Sequence, residues 1–282
     1  MNGSYPPPHH VLRDLDFEVE VVADDVHRAA FRPGSGTRVE LGAVLTVVDL
    51  LAGSLCIDVV APDWMATSGL SFHLTRPLPP GELALEGRIL RAGRTTVTIE
   101  VDAADPVSGQ PLGEGIVTFA RIRRPGAPSI AEARSAPGGR FSFHTPGATA
   151  VGTDGSMRDA IGCRVVDPSA GATVTPVDGY LLNSFGAVNG GVVATVVEAA
   201  ALALSGAADG DPPDAVRAEV GDLSLHYLAQ GRVGPLRTTA TLLRSGWGER
   251  PGPVTMRVEV FDGQGHGTSR MAVAHVSTSR RT

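Results

Sequence analysis

The chain has 282 residues, 42% of them hydrophobic and 5% aromatic, enough for one large domain or two small ones with a core of Val, Leu, Ala and Ile. A formal net charge of −6, with every basic residue an arginine, argues against a general nucleic-acid binder, which would carry a basic face. Two cysteines, Cys56 and Cys163, are too few for the disulfide framework of a small secreted domain.

Residues 1–10 are Pro-rich and read as disordered or as an arm, with neither the basic nor the apolar stretch of a signal peptide. Asp16 to Val22 alternates apolar and acidic residues, as a strand does, and Ala29 to Thr37 reads as a loop. A helix then begins near Glu40 or Gly42 and runs to about Val60. It is apolar nearly all round, so it is expected to be enclosed. Asp49 and Asp58 interrupt it, which argues against a membrane span, and a cytoplasmic protein is expected.

After Pro62 the period shortens. Met65 to Leu74, Leu83 to Leu90, Thr95 to Asp102 and Gly113 to Ile122 read as four strands separated by Pro/Gly turns, favouring an antiparallel meander. Residues 124–153 are rich in Pro, Gly, Ser and Ala and read as a linker between a unit at 1–123 and a second at 154–282. The second unit repeats the order. It has a strand at Ile161 to Val166, a loop at Asp178 to Val188 and a helix from Gly190 to about Leu204. Strands follow at Ala215 to Tyr227, Leu236 to Leu243, Val254 to Phe261 and Gly267 to Val276.

The two units share residues as well as order. Gly42-Ala-Val-Leu-Thr-Val-Val-Asp49 returns as Gly191-Val-Val-Ala-Thr-Val-Val-Glu198, 149 residues on. Leu70-Ser-Phe-His73 returns as Leu223-Ser-Leu-His226, and Arg91-Ala-Gly93 as Arg244-Ser-Gly246, both 153 residues on. Val97-Thr-Ile-Glu-Val101 returns as Val254-Thr-Met-Arg-Val258, 157 residues on. Offsets that grow only in the connections mark a duplicated unit with loop insertions. Within it, Asp49 and Glu198 stand out, because a carboxylate in an enclosed helix needs a partner or a task.

A strand, a buried helix and a curved antiparallel sheet around it form the outline of a hotdog fold. Asn183-x5-Asn189-Gly190-Gly191-x6-Glu198 resembles the Asn-x5-His-Gly-Gly-x6-Asp/Glu pattern of the phenylacetyl-CoA and 4-hydroxybenzoyl-CoA thioesterases, and Phe72-His-Leu-Thr-Arg-Pro77 resembles a strand of that family. The resemblance covers roughly 15–123 and 155–280. It implies an α+β double hotdog, with two antiparallel sheets each wrapped round a helix, and a metal-free, cofactor-free acyl-CoA thioesterase.

In that family the site is shared between paired units. Here this implies Asp49 and Thr67 from the first half as carboxylate and supporting hydroxyl. The second half supplies the Gly190 N–H as oxyanion donor, Asn183 beside it, and Asn189 and Gly191 against the substrate. Asn189 stands where the family has His. The mirror-image site would use Glu198, also a candidate for substrate contact, but offers Gly34, Glu40, Leu41 and Val220 where the pattern wants Asn, His, Gly and a hydroxyl. One working and one degenerate site are therefore expected.

Thioester hydrolysis needs a donor for the developing oxyanion and a carboxylate to activate water or attack directly. A glycine at a helix start supplies the first, aided by the helix dipole. A non-catalytic acyl-CoA or small-ligand binder and a hotdog hydratase or dehydratase are the alternatives. Assembly of such chains into a homo-oligomer is left open. His73 and His226 are expected at a sheet edge or facing solvent, and Gly263-Gln-Gly265-His-Gly267 to form a hairpin turn. Arg121, Arg123 and Arg124 are expected at a solvated strand end, and no Gly-x-Ser-x-Gly elbow supports a serine hydrolase.

Overall fold

A computed structural model describes residues 5–33, 39–123, 137–145, 156–210, 218–247, 250–263 and 268–280. The first half runs α1 (Val11–Asp14), β1 (Asp16–Ala23), β2 (Val26–Arg32), α2 (Leu41–Val60), β3 (Trp64–Leu74), β4 (Leu83–Ala92), β5 (Thr96–Ala104) and β6 (Pro111–Ile122). Then come β7 (Arg140–Phe141), α3 (Met157–Ala160), β8 (Arg164–Asp167), a 3-10 turn at Pro168–Ala170, β9 (Ala172–Thr175) and α4 (Gly190–Asp209). The chain finishes with β10 (Ala218–Tyr227), β11 (Leu236–Trp247), β12 (Arg250–Asp262) and β13 (Ser269–Arg280).

Of the expected loop at Ala29 to Thr37, Ala29 to Arg32 is instead strand, and residues 34–37 lie outside the described residues. In β2, His27, Ala29 and Phe31 point inward while Arg28 and Arg32 point to solvent, and β2 pairs with β1 through Phe17↔Phe31 and Val19↔Ala29. Of the stretch read as a linker, residues 137–145 are described, and there β7 adds itself to β1. The remainder of that stretch, Arg124 and most of the Gly263–Gly267 turn lie outside the described residues.

All strands pair antiparallel, in the order β7-β1-β2-β4-β5-β6-β3-β10-β13-β12-β11-β9-β8. The expected meander therefore fails at one place in each half: β3 pairs with β6 rather than β4, and β10 with β13 rather than β11. The expectation of two separate sheets also needs correcting, because the strands of the described residues form one sheet of thirteen. The cause is direct pairing of β3 with β10 over Gly69–His73 and Asp222–His226, which joins the halves edge to edge.

That seam reveals the duplication. Ser71 and Ser224 are counterparts in the repeat, and they face each other across the seam. On either side Leu70 faces Leu225 and Phe72 faces Leu223, so the halves meet as a two-fold pair would. Bulges recur at equivalent places: Thr67/Gly69 matches Val220/Asp222, and Ile89/Arg91 matches Leu242/Arg244. His73 and Asp222 form an exposed 2.8 Å pair across the seam, in keeping with the solvent-facing expectation.

Helix α2 packs against β2 to β6, and α4 against β8 to β13. By length and composition both are apolar enough to cross a membrane, but two-thirds or more of each is buried inside the protein. Fully buried Leu45, Leu51 and Leu55 each contribute roughly 1.5–3 kcal/mol relative to exposure. The helices also pack on each other, through the repeated glycines. A Cβ on Gly42 would lie 2.5 Å from Thr195 Cα, and one on Gly191 would overlap Thr46 Cα. Only glycine permits that approach.

Candidate active site

The first turns of α2 and α4 face the same problem, since the leading N–H groups of a helix have no partner within it. The two solve it differently. Asn189 is the N-cap of α4, and its Oδ1 accepts the Gly191 N–H at 3.0 Å. Asn189 is also mostly buried, 7% exposed, which makes this capping bond hard to replace with water. Among the described residues the Gly190 N–H has no acceptor.

At α2 the N-cap position is Glu40, whose side chain makes no capping bond there but accepts the Arg158 N–H at 3.2 Å. The cap comes from the other half. Glu198 Oε1 accepts the Leu41 N–H at 3.1 Å and Oε2 the Gly42 N–H at 2.7 Å. The negative carboxylate also suits the positive end of the α2 dipole.

Asp49 behaves otherwise. Its Oδ1 accepts from the Thr67 hydroxyl at 2.8 Å, and Oδ2 lies 2.6 Å from where a Gly190 Cβ would be. The β3 bulge beginning at Thr67 breaks the regular alternation of the strand at this point. Loss of hydration pushes the Asp49 carboxyl up to about 6, despite the opposing hydrogen bond from Thr67. The structure thus brings Asp49, Thr67, Gly190 and Asn189 together from opposite halves.

Asn183 is placed differently. Its Oδ1 accepts the N–H groups of Phe185 (2.9 Å) and Ala187 (3.2 Å), shaping the loop before α4. Gly191 supplies the Asn189-bound N–H and the close helix contact. Around Glu198 the mirror-image region holds a cavity of about 240 Å³ lined by Leu41, Leu74, Arg76, Glu198 and Val220 among others. Its two leading amides are already taken. Gly34, assigned to that region, lies outside the described residues.

Two tyrosines at the Asp49 side escaped sequence reasoning. Tyr227, the last residue of β10, donates its hydroxyl to the Gly190 carbonyl oxygen at 2.8 Å. Burial and the nearby Asp49 carboxyl hold this phenol well above its ordinary pKa. Its repeat counterpart, one residue after the matched Leu-Ser-x-His, is Leu74, and that difference was the available signal.

Tyr5 arrives from the arm beside the Asn189 side chain, and its hydroxyl meets His10 Nε2 at 3.4 Å. The arm is fastened at several points. The Arg13 guanidinium donates to the Pro6 and Pro7 carbonyls, His9 stacks on Tyr180 at 4.7 Å, and His10 Nε2 lies 2.9 Å from the Leu182 carbonyl. A Pro-rich composition carries no periodic trace of such contacts. Among the described residues, no group of three or more His, Cys, Asp or Glu is placed to hold a metal ion.

A family model described as "Thioesterase superfamily" matches residues 41–110, the stretch holding α2, Asp49 and Thr67. No curated protein matches. Among solved structures, a tesB protein of Mycobacterium avium subspecies paratuberculosis is similar at a TM-score of 0.59 and 14% identity, covering 94% of this chain and 96% of that one. A 12:0-ACP thioesterase of Umbellularia californica gives 0.57 and 14%, covering 91% and 94%. An acyl-ACP thioesterase of Bacteroides thetaiotaomicron gives 0.53 and 13%, covering 94% and 98%. At these identities the likeness speaks for the fold along nearly the whole chain.

Proposed function

We infer that this chain, a hotdog-fold member of the thioesterase superfamily, hydrolyses acyl thioesters to a free acid and a thiol at the composite site between α4 and the Asp49–Thr67 pair. The observation that carries this reading is the meeting of Asp49 with the start of α4: an activated carboxylate beside an unclaimed N–H at a helix's positive end. In this reading the thioester oxygen takes the Gly190 N–H. One such donor in known hydrolases is worth on the order of 3 kcal/mol of barrier.

Asp49 accepts the proton of an attacking water, or itself attacks the acyl carbon, and Thr67 holds it in line for either. On the water route, collapse of the tetrahedral intermediate breaks the C–S bond, and the departing thiolate takes back the proton held by Asp49. On the direct route it leaves an acyl–Asp49 anhydride, which water then hydrolyses to the free acid, the second proton of that water going to the thiolate. We read the architecture as a double hotdog, two units at 1–123 and 154–282 joined by 124–153 and fused at the β3–β10 seam. The two-fold pairing of Ser71 with Ser224 supports that reading.

CoA is the proposed carrier, on the resemblance of the α4 motif to the phenylacetyl-CoA type thioesterases. We also propose a cytoplasmic location, a reading that the free, buried Cys56 and Cys163 support, since thiols stay reduced there. Association of whole chains is tested by light scattering.

The deciding experiment is free-thiol release from a panel of acyl-CoAs by wild type, Asp49→Asn and Glu198→Gln. Turnover by wild type, lost in Asp49→Asn and kept in Glu198→Gln, is the expected result. No thiol release by wild type, with saturable acyl-CoA binding, would replace hydrolysis by ligand binding.

A further inference from the structure

The peptide joining Gly190 to Gly191 is gripped at both ends. Its carbonyl oxygen accepts from the Tyr227 hydroxyl at 2.8 Å, and its N–H donates to Asn189 Oδ1 at 3.0 Å. Two consecutive glycines are the softest backbone a helix start can have, so an amide that must point at a reacting atom needs outside restraint there. We propose that Tyr227 is a positioning residue: with Asn189 it clamps the Gly190–Gly191 peptide, leaving the adjoining Gly190 N–H as the single donor aimed at the reacting carbonyl.

Three observations beyond the two bonds point the same way. The phenol oxygen lies 3.2 Å from the position a Gly190 Cβ would take, and Asp49 Oδ2 lies 2.6 Å from that point, so the clamp and the carboxylate flank one spot. The mirror-image region has no such clamp. Leu74 replaces Tyr227, Glu40 replaces Asn189, and Glu198 consumes both leading amides. Finally, the chain's three tyrosines all gather on this side: Tyr227 on Gly190, Tyr5 near Asn189 with its hydroxyl on His10 Nε2, and Tyr180 stacked on His9 of the arm that carries Tyr5. Gly190 needs no side chain for this role, which falls instead to its neighbours.

The proposal rests on the thioesterase reading for its catalytic consequence but not for its geometry, so the test has two readouts. The first is kcat and KM on an acyl-CoA turned over by wild type, for Tyr227→Phe, Asn189→Ala, their double variant and Asn189→Ser. The second is amide hydrogen exchange at Gly191 by NMR in the same proteins. Tyr227→Phe should lower kcat about ten-fold, the scale of one lost hydrogen bond, with KM within about two-fold. Gly191 exchange should quicken.

The double variant should lose less than the product of the single losses, since one jaw is useless without the other. Asn189→Ser, which retains a capping oxygen, should keep most of the exchange protection. Unchanged kcat in Tyr227→Phe, or additive losses with unaltered Gly191 exchange, would overturn the clamp. If wild type shows no thiol release, the thioesterase reading fails. Gly191 exchange then judges the clamp alone: faster in Tyr227→Phe upholds it, unchanged overturns it.

Discussion

Asp49 and Glu198 hold the same place in the repeat, yet only Glu198 hydrogen-bonds to the leading amides of the opposite helix. One extra methylene lets Glu198 reach Leu41 and Gly42. Asp49 is shorter, is engaged by Thr67, and faces a helix already capped by its own Asn189. A single duplicated scaffold thereby holds one carboxylate as a cap and leaves the other beside an available amide. The asymmetry rests on five differences: Asp49 for Glu198, Thr67 for Val220, Asn189 for Glu40, Gly190 for Leu41, and Tyr227 for Leu74.

The raised Asp49 carboxyl predicts opposite pH trends for activity and stability. Activity requires the ionised form, so kcat/KM should rise through an apparent pKa near 6. The fold favours the protonated form, with a pKa above the ordinary 3.8. Its stabilising contribution is therefore complete below about pH 3.8 and lost as pH climbs through about 6. The loss amounts to at most about 3 kcal/mol, from a shift of roughly two units. Asp49→Asn should be inactive yet melt higher than wild type at pH 8, with the gap shrinking toward pH 4. A lower melting temperature for the variant at pH 8 would contradict the assignment.

Glu198 is expected to matter for stability more than for turnover. It is 5% exposed and carries two backbone bonds. Glu198→Ala strands two buried N–H groups, a loss of about 2–4 kcal/mol. Urea unfolding should show it as a lower midpoint with an unchanged slope. Thiol release at 20 °C, where the variant remains folded, should stay within about three-fold of wild type.

Much of this arrangement is legible in the sequence. The two enclosed helices and the repeat follow from apolar periodicity and internal matches, while the pairing of Asp49 and Thr67 with Gly190 is what the resemblance to thioesterases with paired hotdog units implies. Strand order does not, because alternation records which face is buried and says nothing about which neighbour a strand takes. So β3 beside β10, and the single sheet that results, stayed hidden. In β2 the short Ala29 and polar His27 masked the inward face, and β9 is only four residues long. The turn of Glu198 onto α2 depends on a one-methylene difference in reach across a helix interface. No pattern within one half encodes it.

The helix contact predicts a sharp contrast between two glycines of α4. Gly191→Ala would drive a methyl group into the Thr46 backbone, and helices locked within a continuous sheet cannot slide apart to relieve it. Destabilisation of about 3 kcal/mol or more is expected. Gly206→Ala meets nothing within 4 Å and should gain up to about 1 kcal/mol from helix propensity. Thermal melts of the two variants, both single-methyl additions to one helix, test the interface directly.

Gly190→Ala should separate catalysis from folding. The added methyl would point at Asp49 Oδ2, 2.6 Å away, and at the Tyr227 hydroxyl, 3.2 Å away, both side-chain atoms able to shift. Alanine is also a good residue at a helix start, so stability should change by less than about 1 kcal/mol. The space lost is the gap between carboxylate and amide where the acyl carbon is placed by the proposed mechanism. Turnover should therefore fall at least a hundred-fold, on the scale of losing an oxyanion donor. The same methyl should displace Asp49 from Thr67, shifting the acid limb of any residual activity. Full activity in a well-folded Gly190→Ala protein would move the reacting carbonyl away from the start of α4, and with it the composite site.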